Sequence, residues 1–297
     1  LYSSVIPEIL PQHLQQTYHL MTHREAIRAM HFPKNDEESE QARRQIIYQE
    51  FFLYQVRLQM LQRSRKTNNR GIPILYDVDK LKGFIATLPF ELTDGQKKVV
   101  NEICRDLRKP YEMNRLLQGD VGSGKTIVAV IALMATVLGG YQGAFMVPTE
   151  ILAEQHYRTL QSLFEYTDVS VALLTGSTKA KDRKELLNRL ASGDLHILIG
   201  THALIQEDVV FADLGLVITD EQHRFGVQQR HKLNEKGNNP NVLYMTATPI
   251  PRTLAITTMG EMDVSVLDQM PDGRKPIKTI WNKSDKIENV LEFIRKQ

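Results

Sequence analysis

The sequence is poor in cysteine, because Cys104 is the single one in 297 residues. One thiol cannot form an internal disulfide, so a disulfide framework is excluded and a reducing cytosol fits. Cys104 lies in a helix-like run of apolar residues and is interpreted as a packing residue.

Long apolar runs and a strong charge of either sign are also missing. The longest apolar run, at residues 127–138, is too short to span a bilayer, and the start of the chain has no signal-peptide pattern. The formal net charge of +2 neither requires nor excludes nucleic acid, so a DNA-binding hypothesis has to come from motifs. The chain begins without methionine and ends in a helix-like run, and we expect it to be a piece of a longer protein.

The strongest motif is Gly-Asp-Val-Gly-Ser-Gly-Lys-Thr at residues 119–126, an uninterrupted match to the phosphate-binding P-loop pattern. The apolar residues before it predict a buried strand, and residues 127–138 predict a helix. Glycines let the backbone N–H groups turn toward phosphates, whereas a glycine-rich turn that binds nothing would only cost stability. Lys125 is expected to reach the β and γ phosphates of ATP, and Thr126 to bind Mg²⁺.

A second nucleotide signal precedes the P-loop. Thr93 is predicted to cap a helix that runs to about Leu107, and Gln96 could offer an acceptor and a donor to an adenine edge. The expected nucleotide-binding residues are therefore Gln96, Gly119, Gly122, Ser123, Gly124, Lys125 and Thr126.

Short β-rich runs alternate with helical patterns after the P-loop. Strands are predicted near residues 143–147, 170–174, 195–199, 214–219 and 241–245, with helices near 150–165 and 180–192. This alternation predicts an α/β fold with a mostly parallel sheet covered by helices on both faces. Ligands bind at the carboxyl ends of the strands in such sheets, so the polar residues there are the candidate site residues.

Two acids, Asp220 and Glu221, directly follow the apolar run at residues 214–219. An acidic pair in this place is usually a turn or a helix cap, but the P-loop upstream favours a catalytic pair. Asp220 is expected to hold Mg²⁺ directly or through water, and Glu221 to orient and deprotonate the attacking water. Lys125, Asp220 and Glu221 are thus the predicted catalytic residues, and Thr126 and Asp220 the predicted metal ligands.

The first part of the chain is predicted to be helical. Residues 12–21 and 23–30 show short helical patterns, and a helix of about thirty residues starts after Asn35. Its apolar stripe consists of Ile47, Phe51, Tyr54, Leu58 and Leu61. A polar breaker at residues 67–71 marks a predicted boundary, and one more helix is predicted over residues 77–88.

The Asp-Glu-Gln-His-Arg-Phe-Gly sequence at residues 220–226 resembles the corresponding motif of the RecG family, bacterial ATP-dependent DNA helicases of superfamily 2. The resemblance covers nearly the whole chain. It includes the P-loop, Thr93 with Gln96, and the motifs at residues 148–156, 174–177, 200–204 and 245–252. The transcription-repair coupling factors share several of these motifs, but His-Phe-Pro at residues 31–33 is closer to the RecG family.

The resemblance implies a domain organisation and further site residues. It implies the tail of a wedge domain at residues 1–34, a linker helix at 35–70, a RecA-like P-loop NTPase motor domain at 71–271, and the start of a second motor domain at 272–297, with its first strand at 277–281. The implied DNA contacts are Pro148, Thr149, Thr175, Gly176, Thr201 and His202. The residues implied to couple nucleotide state to DNA grip are Gln222, His223, Thr246, Thr248 and Arg252.

For function, the resemblance implies an ATP- and Mg²⁺-dependent helicase of the bacterial cytoplasm that acts on branched DNA such as replication forks and Holliday junctions. Two alternatives stay open at this point: a translocase on duplex DNA of the coupling-factor type, and a module that binds nucleotide or DNA without hydrolysis. Arg274 and Arg295 lie in no pattern typical of the family's arginine motif, so we expect the chain alone to hydrolyse little ATP.

Overall fold

The computed structural model describes residues 6–68, 71–221, 226–248, 262–270, 281 and 287–296. Its helices are α1 (Gln12–Thr17), α2 (His23–His31), α3 (Asp36–Asn68), α4 (Val78–Ala86), α5 (Asp94–Leu107), α6 (Lys125–Leu138), α7 (Glu150–Leu163), α8 (Ala180–Ser192), α9 (Val227–Asn234) and α10 (Ile287–Lys296). Within these ranges, no helix combines the length and the apolar character needed to cross a membrane.

Seven strands form one sheet, in the order β3-β4-β2-β5-β6-β1-β7, and every neighbouring pair is parallel. The strands are β1 (Asn114–Gly119), β2 (Gln142–Met146), β3 (Val171–Leu174), β4 (Ile197–Gly200), β5 (Leu214–Thr219), β6 (Asn241–Thr246) and β7 (Asp263–Leu267). The predicted α/β fold with a parallel sheet is therefore confirmed. The predicted strands differ from the observed ones by at most two residues at either end.

Helices cover both faces of this sheet, as predicted. Alternate residues of each strand point to opposite faces, so that Phe145 of β2 packs in one core and Ala144 and Met146 pack in the other. The first core contains buried residues of α4, α5, α6 and α7, and the second contains those of α8, of α9 and of a 3-10 helix at His202–Ile205. Because both faces are buried, the middle of most strands is apolar, and most of their polar residues lie near the strand ends.

Strand β7 was not predicted from the sequence. It pairs with β1 from Arg115 to Gly119, so the strand that leads into the P-loop has a neighbour on each side. Its sequence, Asp-Val-Ser-Val-Leu, carries two polar residues, and Val266 is 46% exposed, as suits a short edge strand. The strand predicted at residues 277–281 falls almost entirely outside the described residues.

The first part of the chain is helical, as predicted, but its first helix is shorter than predicted. Helix α1 ends at Thr17 rather than Met21, because His19 adopts the left-handed conformation with φ 49°. Helix α3 starts where it was predicted: Asn35 Oδ1 accepts the N–H of Glu38 at 2.7 Å, and the helix runs for 33 residues. The predicted apolar stripe is buried only in part, since Leu58 is 7% exposed but Ile47, Phe51, Tyr54 and Leu61 are exposed.

A buried cluster of charges ties α5, β1 and β7 together near the amino ends of the strands. Arg115 Nε donates to Asp106 Oδ2 at 2.9 Å, and its Nη1 donates to Ser265 Oγ at 2.7 Å and to Glu102 Oε2 at 3.3 Å. The side chains of Arg115 and Asp106 are only 10% and 6% exposed. Asp106 Oδ1 also accepts from Lys109 Nζ at 2.6 Å. Each charge in the cluster is compensated, which is what makes its burial tolerable.

We expect Asp106→Ala to lower the free energy of unfolding by about 3 kcal/mol or more, because it leaves Arg115 buried without its main partner. Asp79→Ala is the matched control, since the Asp79 side chain is 95% exposed and pairs only loosely with Lys82 at 3.9 Å. That control should cost less than about 1 kcal/mol. Denaturant unfolding of both variants measures the difference, and equal losses would contradict a structural role for the cluster.

Candidate functional site

The predicted P-loop connects the end of β1 to the start of α6, the strand–turn–helix context that phosphate binding needs. Gly122 and Gly124 have φ values of 80° and 87°, which L side chains rarely adopt. A Cβ on Gly119 would lie 2.5 Å from Ser123 Oγ. The Ser123 side chain is 1% exposed, and its hydroxyl has no hydrogen-bond partner among the described residues. The loop thus fits a polyphosphate ligand that would supply such a partner.

Gln96 is buried behind the P-loop at 2% exposure, and both ends of its amide are engaged. Its Nε2 donates to the carbonyl of Ser123 at 2.9 Å, and its Oε1 accepts the N–H of Thr93 at 3.0 Å. Thr93 Oγ1 in turn accepts the N–H of Gln96, which completes the predicted cap of α5. In this conformation Gln96 braces the loop, a role that the sequence reasoning missed. Its contact with an adenine edge stays a prediction.

Lys125 is the first residue of α6, and its ammonium folds back over the loop. Its Nζ donates to the carbonyl oxygens of Gly119 at 2.7 Å and Asp120 at 3.0 Å. Burial lowers the pKa of Lys125 below its ordinary value, and the carboxylates of Asp220, Glu221 and Asp120 oppose that shift. These carboxylates therefore favour the charged form of the P-loop lysine.

Asp220 and Glu221 follow β5, whose carboxyl end lies two strands from that of β1. Asp220 is 9% exposed, and its Oδ1 accepts the N–H of Glu221 at 3.0 Å. Glu221 has φ 50°, an uncommon conformation for a residue other than glycine, and its side chain is half-buried. Non-glycine residues in this conformation cost energy and cluster at functional sites. The two carboxylates are the oxygen donors that Mg²⁺ prefers, and Thr126 is partly exposed in the first turn of α6.

His156 of α7 contacts Asp220, a role that the sequence reasoning also missed. Its Nε2 lies 3.3 Å from Asp220 Oδ2, and each side chain is only 12% exposed. One signal could have found it: Ala153 and Leu160, on the same face of α7, are fully buried, so that this helix face packs on the sheet. A histidine between them needs a polar partner.

The implied DNA contacts lie at the carboxyl ends of β2, β4 and β3, which are neighbours in the sheet. Thr149, Gly176 and His202 are exposed there, and Thr149 also caps α7 by accepting the N–H of Leu152 at 3.3 Å. Thr175 and Thr201 are instead only 5% and 2% exposed. The hydroxyls of these two threonines are therefore less accessible to DNA than the hydroxyl of Thr149. Pro148 is partly exposed. All six contacts stay predictions.

Glu150 links two of these strand ends. Its Oε1 accepts the N–H of Gly176 at 2.9 Å, and its Oε2 accepts from Ser177 Oγ at 3.2 Å. The N–H of Gly176, which we expected to meet a DNA phosphate, is thus directed at a carboxylate of the same chain. A phosphate could take this position only in place of Glu150, since the two anions would repel each other.

The residues implied to couple the two sites are described only in part. Thr246 is the last residue of β6, which lies between β5 and β1, and Thr248 follows it; their hydroxyl oxygens are 2.8 Å apart. The N–H of Thr248 also donates to Thr246 Oγ1 at 3.2 Å. Gln222, His223 and Arg252 lie outside the described residues.

The fold and the P-loop with its two carboxylates define a P-loop nucleotide-binding domain, and comparison with known families makes this specific. The family described as DEAD/DEAH box helicase matches residues 93–256. That match covers more than half of the chain, which therefore belongs to the DEAD/DEAH box helicase family.

Several similar individual proteins are RecG helicases. The chain is 57% identical over 296 residues to the ATP-dependent DNA helicase RecG of Bacillus subtilis, covering 100% of this chain and 43% of that protein. It is 53% identical over 290 residues to RecG of Streptococcus pneumoniae serotype 4, covering 98% of this chain and 43% of that protein. A solved structure of RecG bound to a three-way DNA junction matches with a TM-score of 0.83 and 43% identity, over 98% of this chain and 39% of that one. The chain therefore spans less than half of these relatives.

We expect Gly124→Ala to lower ATP affinity in addition to the stability that the left-handed backbone of an alanine there would cost. A Cβ at Gly124 would lie 2.1 Å from Gln96 Nε2, so it would break the brace behind the P-loop. Gly140→Ala is the matched control, because Gly140 has φ +85° but nothing within 4 Å of the added Cβ. Both should lose about 1–2 kcal/mol of stability from strain. Only Gly124→Ala should also lower ATP affinity, by about tenfold or more.

Binding of a fluorescent ATP analogue and thermal unfolding measure the two effects separately. Unchanged ATP affinity in Gly124→Ala would contradict the proposed bracing by Gln96.

Proposed function

We propose that this chain contains the first motor domain of an ATP-dependent DNA helicase of the RecG type. The observation that carries the proposal is the 57% identity to RecG over 296 residues. It is supported by the P-loop, Asp220 and Glu221, which all follow the carboxyl ends of strands in one parallel sheet. The domain boundaries at residues 34, 70 and 271 are part of this proposal. So is the bacterial cytoplasm as its place of action.

In the proposed nucleotide site, the P-loop N–H groups and Lys125 bind the β and γ phosphates of ATP. Thr126 and Asp220 hold Mg²⁺, which when bound would neutralise charge on those phosphates. Glu221 orients the attacking water and takes its proton. Gln96 braces the loop, and its amide would have to leave this buried position to meet the adenine edge. The buried, unpartnered hydroxyl of Ser123 and the lowered pKa of Lys125 support a site that is completed by an anionic ligand.

We propose that DNA lies across the carboxyl ends of β2, β4 and β3. The exposed hydroxyl of Thr149 and the exposed ring of His202 suit phosphate oxygens and do not read sequence, whereas Gly176 would join them only where a phosphate replaces Glu150 at its N–H. The similar RecG structure is bound to a three-way DNA junction, and branched DNA is the partner we propose for the motor to which this chain belongs. Gln222, His223, Thr246, Thr248 and Arg252 would couple the two sites.

The named relatives favour this function over the two alternatives. They are RecG proteins, which supports branch-acting helicases over coupling-factor translocases. The combination of a P-loop, Asp220 and Glu221 supports hydrolysis over simple binding.

Glu221→Gln separates binding from chemistry, because it keeps the size and hydrogen bonding of the side chain but removes the base. We expect ATP affinity of the chain to be retained, while turnover in a protein that also supplies the second motor domain falls by about 10² or more. Lys125→Ala is the reference for lost phosphate binding and should abolish hydrolysis. A collapse of ATP affinity in Glu221→Gln would mean that Glu221 serves the fold or the metal instead.

We also expect the 297-residue chain to bind ATP with Mg²⁺ weakly and to show almost no DNA-stimulated hydrolysis. In related nucleotide hydrolases, an arginine from a facing partner contributes about 10³–10⁵ in rate. Arg295 lies in α10, far along the sequence from the P-loop and from Asp220 and Glu221. Arg274 lies outside the described residues. Steady-state hydrolysis with and without branched DNA tests this. A rate equal to that of intact RecG would contradict it.

A further inference from the structure

The carboxylate of Asp220 is held by two protein donors, one on each oxygen. The N–H of Glu221 donates to Oδ1 at 3.0 Å, and His156 Nε2 lies 3.3 Å from Oδ2. The first contact is local and comes with the backbone turn after β5. The second comes from a different element, α7, so it fixes the carboxylate relative to the rest of the fold.

His156 is itself well fixed. Its ring packs against the ring of Phe145, with centroids 4.8 Å apart and planes at 41°, and its side chain is 12% exposed. Phe145 is fully buried in β2, next to β5 in the sheet. A donor held by a helix and by a buried aromatic ring loses little freedom when it makes its hydrogen bond, so that it can restrict the rotation of its partner.

We propose that His156 is a positioning residue for the metal site: its Nε2–H holds the carboxylate of Asp220 in the orientation that receives Mg²⁺ with ATP. Partners that hydrogen-bond to ligating carboxylates typically contribute about 10–100-fold to metal affinity or activity. This inference rests on the proposed nucleotide site.

The position of His156 in α7 gives the hydrogen bond a second consequence. Helix α7 starts at Glu150, directly after Thr149, one of the proposed DNA contacts. His156 lies seven positions after Thr149, a distance of about 10 Å along the helix axis. Helix α7 therefore connects a proposed DNA contact directly to the residue that holds Asp220.

Two substitutions separate the hydrogen bond from the packing of the ring. His156→Phe keeps an aromatic ring against Phe145 but removes the donor, whereas His156→Gln keeps a donor N–H at about the reach of Nε2 and removes the ring. His13→Phe is the matched control, because it makes the same change at an exposed residue of α1, outside the sheet. Thermal unfolding of each variant checks that the fold is retained.

The readout is the factor by which Mg²⁺ improves the affinity for a fluorescent ATP analogue, compared with binding in EDTA. We expect this factor to fall by about tenfold in His156→Phe, and to be largely kept in His156→Gln and in His13→Phe. If the Mg²⁺ factor of His156→Phe stays within about twofold of that of the parent, the inference is overturned, since losing a residue that positions a metal ligand should lower the factor by more than that. Loss in His156→Gln with retention in His156→Phe also overturns it, because the ring and not the donor would then matter.

Failure of the proposed function looks different from failure of this inference. A parent chain whose binding of the analogue does not respond to Mg²⁺ overturns both, whereas a responsive parent with an unaffected His156→Phe variant overturns the inference alone. If His156→Phe does not fold, ¹⁵N spectra of the histidine-labelled parent decide. A protonated Nε2 on His156 that shifts when Mg²⁺ and nucleotide are added supports the proposal, and an unprotonated Nε2 contradicts it.

Discussion

The parallel pairing of all seven strands is the constraint on which the site depends. Because every strand points the same way, every loop that follows a strand emerges at one edge of the sheet. The opposite edge is closed by buried polar side chains. Gln142 donates to two backbone carbonyls there, Asn241 bonds to the N–H of Met113 and the carbonyl of Gly215, and Arg115 joins α5 to β7. Side-chain hydrogen bonds at the amino ends of the strands thus stabilise the fold, and the loops at the carboxyl ends carry the candidate site residues.

The order of the strands divides the free edge into two parts. The ends of β3, β4 and β2 carry the threonines, Gly176 and His202, while those of β5, β6 and β1 carry the carboxylates, Thr246 and the P-loop. Helix α7 crosses this division, since it starts at the end of β2 and places His156 on Asp220, after β5. Two ligands could therefore occupy one edge of a single sheet without sharing side chains, yet still influence each other through one helix.

The roles of residues that belong to a local sequence motif could be predicted from the sequence. The P-loop, the Thr93 cap, Asp220 after its strand and the start of α3 at Asn35 are of this kind, because neighbours in the chain determine them. The partners in long-range contacts could not be predicted, even where spacing indicates that a residue such as His156 needs one. The brace between Gln96 and Ser123, the link from Glu150 to Gly176 and the contact of His156 with Asp220 join residues separated by 27, 26 and 64 positions. Strand β7 was missed for a related reason, because this short segment forms a strand by pairing with β1, a contact that its own sequence does not reveal.

The place of β1 between β6 and β7 has a consequence for how the protein is made. Contacts of β1 with these neighbours span long stretches of chain, such as 128 residues from Met113 to Asn241 and 150 from Arg115 to Ser265. During synthesis, the strand that leads into the P-loop leaves the ribosome long before either neighbour exists, and contacts of such range form slowly. The nascent chain therefore carries β1 without either neighbour while more than a hundred further residues are synthesised, a situation in which chaperones protect growing chains from aggregation. A chain that terminates before β7 would keep the complete P-loop sequence and still leave one side of β1 open.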